Sequence, residues 1–352
     1  MPPLDPRSLP VTGYIADVWE QPDAIRRTVD GLGAIHGSDR VVAALGEGRY
    51  DRVVLTGMGA SYHALWPVTL DLIAAGHVAA MVETSELLYY QAALLTPRTL
   101  LIAVSQSGRS AETVRLLEQT RPLGLATVGV TNDLLSPLAD AATLVVPLDA
   151  GREFSVSSKT YLATLAALGV LGAVLTGHRP APVRHALHEA ASVVADYLAA
   201  WRDHVVELTA MFADIDSLAL VGRGPSLAAV GTGALIMKEA ARFPTEGLSA
   251  AAFRHGPLEM AGPRLAVLVC EGAATTAALN QNLARELTAA GAQGGLVGPS
   301  ATCNALRLPE GDPVALPLLE ILPAQMASIA LAARAGFEPG RFQRATKVTT
   351  TE

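Results

Sequence analysis

Residues 101–113, LIAVSQSGRSAET, decide how this chain is read. The apolar run Leu101 to Val104 stops abruptly, and Ser105, Gln106, Ser107, Gly108 and Ser110 follow at once. A helical pattern then runs from Glu112 to Gln119, with Val114, Leu116 and Leu117 spaced for a core. The pattern predicts a buried strand, a tight hydroxyl-rich turn and a helix start. A helix N-terminus presents free N–H groups and a partial positive charge, so it holds anions. Serine hydroxyls add neutral donors that wrap a phosphate. Serine is also a common helix cap with no ligand. Hydroxyls this dense at the C-terminal end of a buried strand favour phosphate binding, because ligands of open α/β sheets sit there.

Working outward, strand-like runs at Arg52–Thr56, Val78–Val82, Leu100–Val104, Ala126–Thr131 and Thr143–Pro147 alternate with helical patterns at Tyr62–Ala75 and Ser110–Gln119. Such alternation implies right-handed βαβ units and a parallel sheet. Residues 157–210 read as helical, broken at Gly177–Pro182. A second alternating block takes in Leu218–Gly222, Leu265–Cys270, Gly294–Val297 and Ala305–Leu308. VVLTGMGAS (53–61) and LALVGRGPS (218–226) rhyme, each a strand followed by GxGxS and a helix, which suggests an internal duplication. Neither carries the third glycine of a dinucleotide fold: Tyr62 and Leu227 stand there, so a turn with Ser61 as a further phosphate or sugar donor is expected.

Composition narrows the class. The chain has 352 residues, enough for two domains, and is 50% hydrophobic and 5% aromatic. Net charge is −7 and no Lys/Arg cluster could follow a nucleic-acid backbone, so no nucleic-acid partner is expected. Cys270 and Cys303 are the only cysteines and form no paired motif, which predicts free thiols and a cytoplasmic protein. The longest apolar run, Tyr161–Leu175, is short of a membrane span and reads as a buried helix. His185, His188 and Glu189 share a helical face but lack a further ligand, so no metal site is expected.

Three residues stand out for chemistry. Glu239 lies near the C-terminal end of a helix read at Gly233–Arg242, where the dipole disfavours a carboxylate. His255, followed by Gly256 and Pro257, belongs on a loop or helix end and suits proton transfer near neutral pH. Lys347 sits in a polar tail, about which the residues alone say little.

Together these pieces resemble the sugar isomerase (SIS) domain family, most of all the isomerase half of glucosamine-6-phosphate synthase and stand-alone amino-sugar-phosphate deaminases and deglycases. The matching segments are GMGAS (57–61), VETSE (82–86), VSQSGRSAET (104–113), GREFSVSSKT (151–160), VGRG (221–224), MKE (237–239), FRHGPLE (253–259) and the tail from Lys347 to Glu352. The likeness begins at Glu20-Gln21-Pro22 and places Glu246 on an intervening family glutamate. It implies an α/β fold of two tandem SIS domains, each a mostly parallel, doubly wound, flavodoxin-like sheet flanked by helices. The expected layout is an N-terminal helical extension over 1–34, domains over 35–180 and 181–340, and a tail over 341–352 that closes over the active site.

The resemblance also implies roles. Ser105, Gln106, Ser107 and Ser110 would hold a sugar phosphate, with Ser61 and Ser158 contacting the sugar or its phosphate. Glu239 would move a proton between C1 and C2. His255 would open the ring, supplied to the neighbouring subunit's site in a homodimer, and Lys347 would close over the sugar. No cofactor, metal or membrane partner is implied. The start MPPLDP and the lack of a cysteine before Cys270 argue against glutamine-dependent synthesis. Where the family's helix carries a glutamate and a lysine, this chain has Thr232 and Ile236, and Lys159 precedes Thr160 where relatives often reverse the order. The expectation is an isomerase/deaminase acting on an amino-sugar 6-phosphate. A deglycase of a fructosamine-6-phosphate adduct, a plain phosphosugar isomerase and a non-catalytic phosphosugar sensor are the alternatives.

Overall fold

Five apolar runs pair as one sheet in the computed structural model, which describes residues 2–33, 35, 37–344 and 346–349. Met1 and Ala34 of the expected N-terminal extension, His36 of the expected first domain, and Ala345, Thr350, Thr351 and Glu352 of the tail lie outside the described residues. The strands are β1 (Arg52–Gly57), β2 (Ala79–Glu83), β3 (Thr99–Val104), β4 (Ala126–Thr131) and β5 (Leu144–Pro147). All pair in parallel in the order β2-β1-β3-β4-β5, the flavodoxin order. β3 is buried at every position, as a central strand covered on both faces must be. The direction of winding reverses between β1 and β3, so their C-terminal ends form the switch point where open α/β sheets bind ligands.

The chain divides into two units. One holds Asp23–Glu153, Lys159–Glu189 and Ala345–Glu352; the other holds Met1–Pro22, Phe154–Ser158 and Ala190–Arg344. In the five-stranded unit, α1 (Ala111–Thr120) follows β3, and α2 (Lys159–Leu175) is apolar and buried along nearly its whole length. A helix apolar all round has no solvent face to offer, so it belongs inside.

The other unit has β6 (Ser217–Gly222), β7 (Thr245–Ser249), β8 (Leu265–Cys270) and β9 (Gln293–Val297), parallel in the order β7-β6-β8-β9. Its helices include α3 (Leu227–Ala240), α4 (Ala274–Ala289) and α5 (Leu316–Arg334). The first four strands of each sheet thus share one connectivity. Two readings from sequence need correction here. Residues 305–308 make no strand: Asn304–Leu306 is a short 3-10 turn, and only Arg307 forms a bridge, to Gly298. β7, at the sheet edge, is a strand that the pattern did not announce.

α5 is the core of this unit. It is long and apolar enough to cross a membrane, yet 94% of its apolar window is buried inside the protein. Two of its polar groups, Gln325 and Ser328, are matched by the N-terminal segment. Gln21 and Gln325, both fully buried, exchange two side-chain hydrogen bonds of 3.0 and 2.7 Å, and the Tyr14 and Ser328 hydroxyls meet at 3.2 Å. Buried amides are stable only when paired in this way.

Candidate active site

Within the five-stranded unit the serine loop joins β3 to α1. Ser105 Oγ accepts the Gly108 N–H at 3.1 Å, and Ser107 Oγ accepts the Arg109 N–H at 3.2 Å. Each hydroxyl keeps its own proton to donate, and the loop keeps its shape. Gly108 has φ +60, and a Cβ there would stand 2.1 Å from Ser136 Oγ, so only glycine fits. The Gln106 carbonyl accepts from Asn132 N–H at 3.0 Å and from the Thr131 hydroxyl at 3.3 Å, which ties the loop to the end of β4. Ser110 occupies the cap position of α1 but makes no side-chain cap bond; its hydroxyl pairs with Thr113 Oγ1 at 2.6 Å. The ordinary explanation of these serines, helix capping, therefore does not account for Ser110. Arg109 is turned toward the β4 end, donating to Asp133 at 2.9 Å and to the Leu135 carbonyl at 2.7 Å.

Ser61 stands in the neighbouring loop, after β1. Gly57 lets that loop fold back: a Cβ there would be 3.0 Å from the Ser61 carbonyl carbon, the Tyr62 nitrogen and the Val104 carbonyl oxygen. β1 and β3 pair directly, Gly57 opposite Val104, so Ser61 and the serine loop share the switch point.

The tail reaches the same edge of this unit. The Ala111 N–H, at the start of α1, donates to the Thr349 carbonyl at 3.1 Å. Lys347 Nζ donates to Glu153 Oε2. Glu153 is 5% exposed, and it also accepts the Thr160 N–H at 3.0 Å and the Thr160 hydroxyl at 2.6 Å. One buried carboxylate thus receives the first turn of α2 and the tail ammonium together. Asn132 holds the approach to Glu153, donating to the Gly151 carbonyl and accepting the Ala150 N–H, both at 3.0 Å. Lys159, the first residue of α2, is buried, and Ser158 before it is fully buried.

In the four-stranded unit Glu239 is the penultimate residue of α3 and is partly buried. The chain that leads to the tail crosses this helix end, with Gly340 N–H donating to the Ala240 carbonyl at 3.1 Å. Thr232 and Ile236 lie on the same face as Glu239, and both are buried. His255 is exposed, at the C-cap of the short helix Ala250–Arg254, directly after β7. α3 must run back along the sheet to join two parallel strands. Its C-terminal end, with Glu239, therefore lies at the edge where the strands begin, while His255 lies where they end. A five-residue strand puts roughly 15 Å between those edges.

Residues 49–173, which hold β1 to β5, Ser61, the serine loop and Glu153, match the family model of the SIS domain. This stretch is an SIS domain. Over 351 residues the chain is 30% identical to the isomerizing glutamine–fructose-6-phosphate aminotransferase of Pyrococcus horikoshii, taking in 96% of this chain and 57% of that protein. It spans a little over half the length of the curated relatives it matches. Among solved structures, the C-terminal domain of glucosamine-fructose-6-phosphate aminotransferase from Francisella tularensis superposes with a TM-score of 0.82 at 19% identity, over 93% of this chain and 98% of that one. Tagatose-6-phosphate ketose/aldose isomerase from Escherichia coli superposes with a TM-score of 0.80 at 19% identity, over 95% and 96%. Both likenesses show the shared fold.

The SIS domain brings together Ser105, Gln106, Ser107, Ser110 and Ser61 from the sequence reading, with Lys347 beside them. Glu153 was missed as a site residue, although GREFSVSSKT was singled out as a segment. The available signal was an acid one residue from a phenylalanine, between two strand and helix patterns, where a surface loop would have no reason to bury it.

Proposed function

We propose that this chain is a phosphosugar isomerase/deaminase acting on an amino-sugar 6-phosphate, with a second SIS domain built around β6 to β9. The observation that carries the reading is the serine loop at the switch point of the SIS domain, with the Lys347 tail tied down beside it through Glu153. Hydroxyls and the α1 N-terminus would hold the phosphate, and that anchoring would position C1 and C2 for reaction. His255 would open the ring by giving and taking a proton. Glu239 would carry the C2 proton to C1, converting the open-chain aldose to a ketimine. Water would hydrolyse the ketimine, leaving a ketose 6-phosphate and ammonia.

The placement of Glu239 and His255 at opposite edges of one sheet supports a shared site in which His255 comes from the partner of a homodimer. The burial of Thr232 and Ile236 bears on the substrate. Their side chains pack inside the unit, so their departure from the family pattern gives no reason to prefer a larger adduct.

The test is coupled ammonia release from glucosamine 6-phosphate, with Glu239→Gln beside wild type. Release that falls by about 100-fold or more in the variant supports both the reaction and the base. An unchanged rate removes Glu239 from that role. Phosphosugar-dependent thermal stabilisation without release keeps the loop and replaces deamination by deglycation or plain isomerisation.

A further inference from the structure

The second sheet has its own switch point, between β6 and β8, and the proposed reaction makes no use of it. Behind the end of β8, facing α5 and the loop before it, lies a cavity of about 380 Å³. It occupies the place that the serine loop holds in the other sheet, but its chemistry is the reverse. The segment after β8 reads Glu271-Gly272-Ala273-Ala274, without a hydroxyl. The cavity is lined by four acids, Glu271, Glu310, Asp312 and Glu320, and among the described residues lining it none is basic. The rest of the wall is alanine, glycine, proline and leucine. Four carboxyl groups work against a phosphate there, although the N-terminus of α4 lines part of the same wall.

The two inner acids differ. Glu271 is fully engaged: Oε1 accepts from Gln281 and from the Ser300 hydroxyl, both at 2.7 Å, and Oε2 accepts the Ser300 N–H at 2.9 Å. It holds the loop after β9 in place. Glu320, on α5, is 3% exposed; Oε1 accepts the Gly272 N–H at 3.2 Å, and buried Oε2 makes no direct hydrogen bond among the described residues, with the Ser226 hydroxyl standing near the carboxyl. An unmatched buried carboxyl oxygen is costly, and a structure that keeps one at the wall of a cavity has a use for it.

We propose that this cavity binds a small organic amine, its ammonium group meeting Glu320 and its short aliphatic body lying against Ala277, Leu308, Leu316 and Leu319. Glu310 and Asp312, both exposed, stand at the mouth and draw in a cation. Among the described residues no three acidic, histidine or cysteine side chains are grouped to hold a metal ion, so the donor set favours an organic cation over a bare one. Burial pushes the Glu320 carboxyl up to about 8; the Ser226 hydroxyl and the Gly272 N–H oppose this, and Glu271 adds to it. Cys270, at the end of β8, is itself raised by burial and by Glu320. With no basic side chain lining the cavity, a bound ammonium supplies the countercharge that lets Glu320 ionise.

Isothermal titration calorimetry with n-butylammonium chloride at pH 7 tests this, against n-butanol, sodium butyrate and magnesium chloride. Saturable binding of the amine, roughly 10-fold or more tighter than the alcohol, with no binding of butyrate, is the expected result. Glu320→Gln brings the amine down to the level of the alcohol. Ala277→Phe keeps Glu320 but fills the cavity, and it abolishes binding of both. Equal amine binding in wild type and in both variants overturns the proposal, as does magnesium binding that competes with the amine or butyrate binding as tight as the amine.

Discussion

Glu153 gathers three donors that come from far apart in the chain: Lys347 lies 194 residues away, and the Thr160 N–H and hydroxyl belong to the first turn of α2. A carboxylate buried to this depth is tolerable only while its partners stay in place. Glu153→Ala leaves the tail ammonium and the start of α2 unmatched, and it should cost about 3 kcal/mol in urea denaturation. The milder Glu153→Gln keeps an acceptor for Thr160 but loses the ion pair. It should speed tryptic cleavage of the tail and raise KM for the sugar phosphate more than it lowers kcat. A tail no more sensitive to trypsin than in wild type would show that Lys347 is held by other means. Glu320 makes a prediction of a different kind. Its folded carboxyl titrates at about 8 against an ordinary value of 4.5, so between these pH values the native protein holds a proton that the unfolded chain has released. The stability this lends is complete below about pH 4.5 and lost as pH rises through 8, at roughly 1.4 kcal/mol per unit from this group alone. Denaturation midpoints measured across that window should fall less steeply in Glu320→Gln. An identical slope would mean that the carboxyl is ionised at neutral pH.

At the level of elements, the serine loop is a turn whose path is set by one glycine. Gly108→Ala places a methyl group where Ser136 stands and asks alanine for a left-handed φ, a strain of about 1–2 kcal/mol before the clash is counted. The loop should rearrange while the sheet persists, so thermal stabilisation by a sugar phosphate should vanish with only a modest loss of stability. Retained stabilisation would show that the loop tolerates another path. The central strands β1, β3 and β4 could be read from sequence because each is a nearly continuous apolar run closed by turn residues, which is what burial on both faces demands. β7 could not: TEGLS is an edge strand, mostly half-buried or exposed, and its alternation is weak. Ala305–Leu308 misled in the opposite direction, because its apolar residues are buried while its backbone pairs only once. The places of Glu239 near a helix end and of His255 at the end of a short helix were legible because helix ends and Gly-Pro breakers are local signals. Glu153 was not, since its partner Lys347 comes from the other end of the chain.

On the scale of the whole molecule, the question is how Glu239 and His255 could serve one sugar. α3 returns along the sheet and β7 runs forward, so the two side chains are separated by the length of a strand. A proton shuttle needs both groups within hydrogen-bond reach of one substrate. In a two-fold dimer any residue that one subunit lends, it also receives. The consequence can be measured by mixing. Glu239→Gln and His255→Asn should each be inactive alone. After subunit exchange at equal amounts, half the dimers carry one of each, and each such dimer has one complete site. Activity should therefore return to about a quarter of the wild-type rate. If His255 acts within its own chain, no mixed dimer holds a complete site and no activity returns. Exchange itself can be verified by native mass spectrometry of one labelled variant, so a null result with proven mixing would assign both residues to a single subunit.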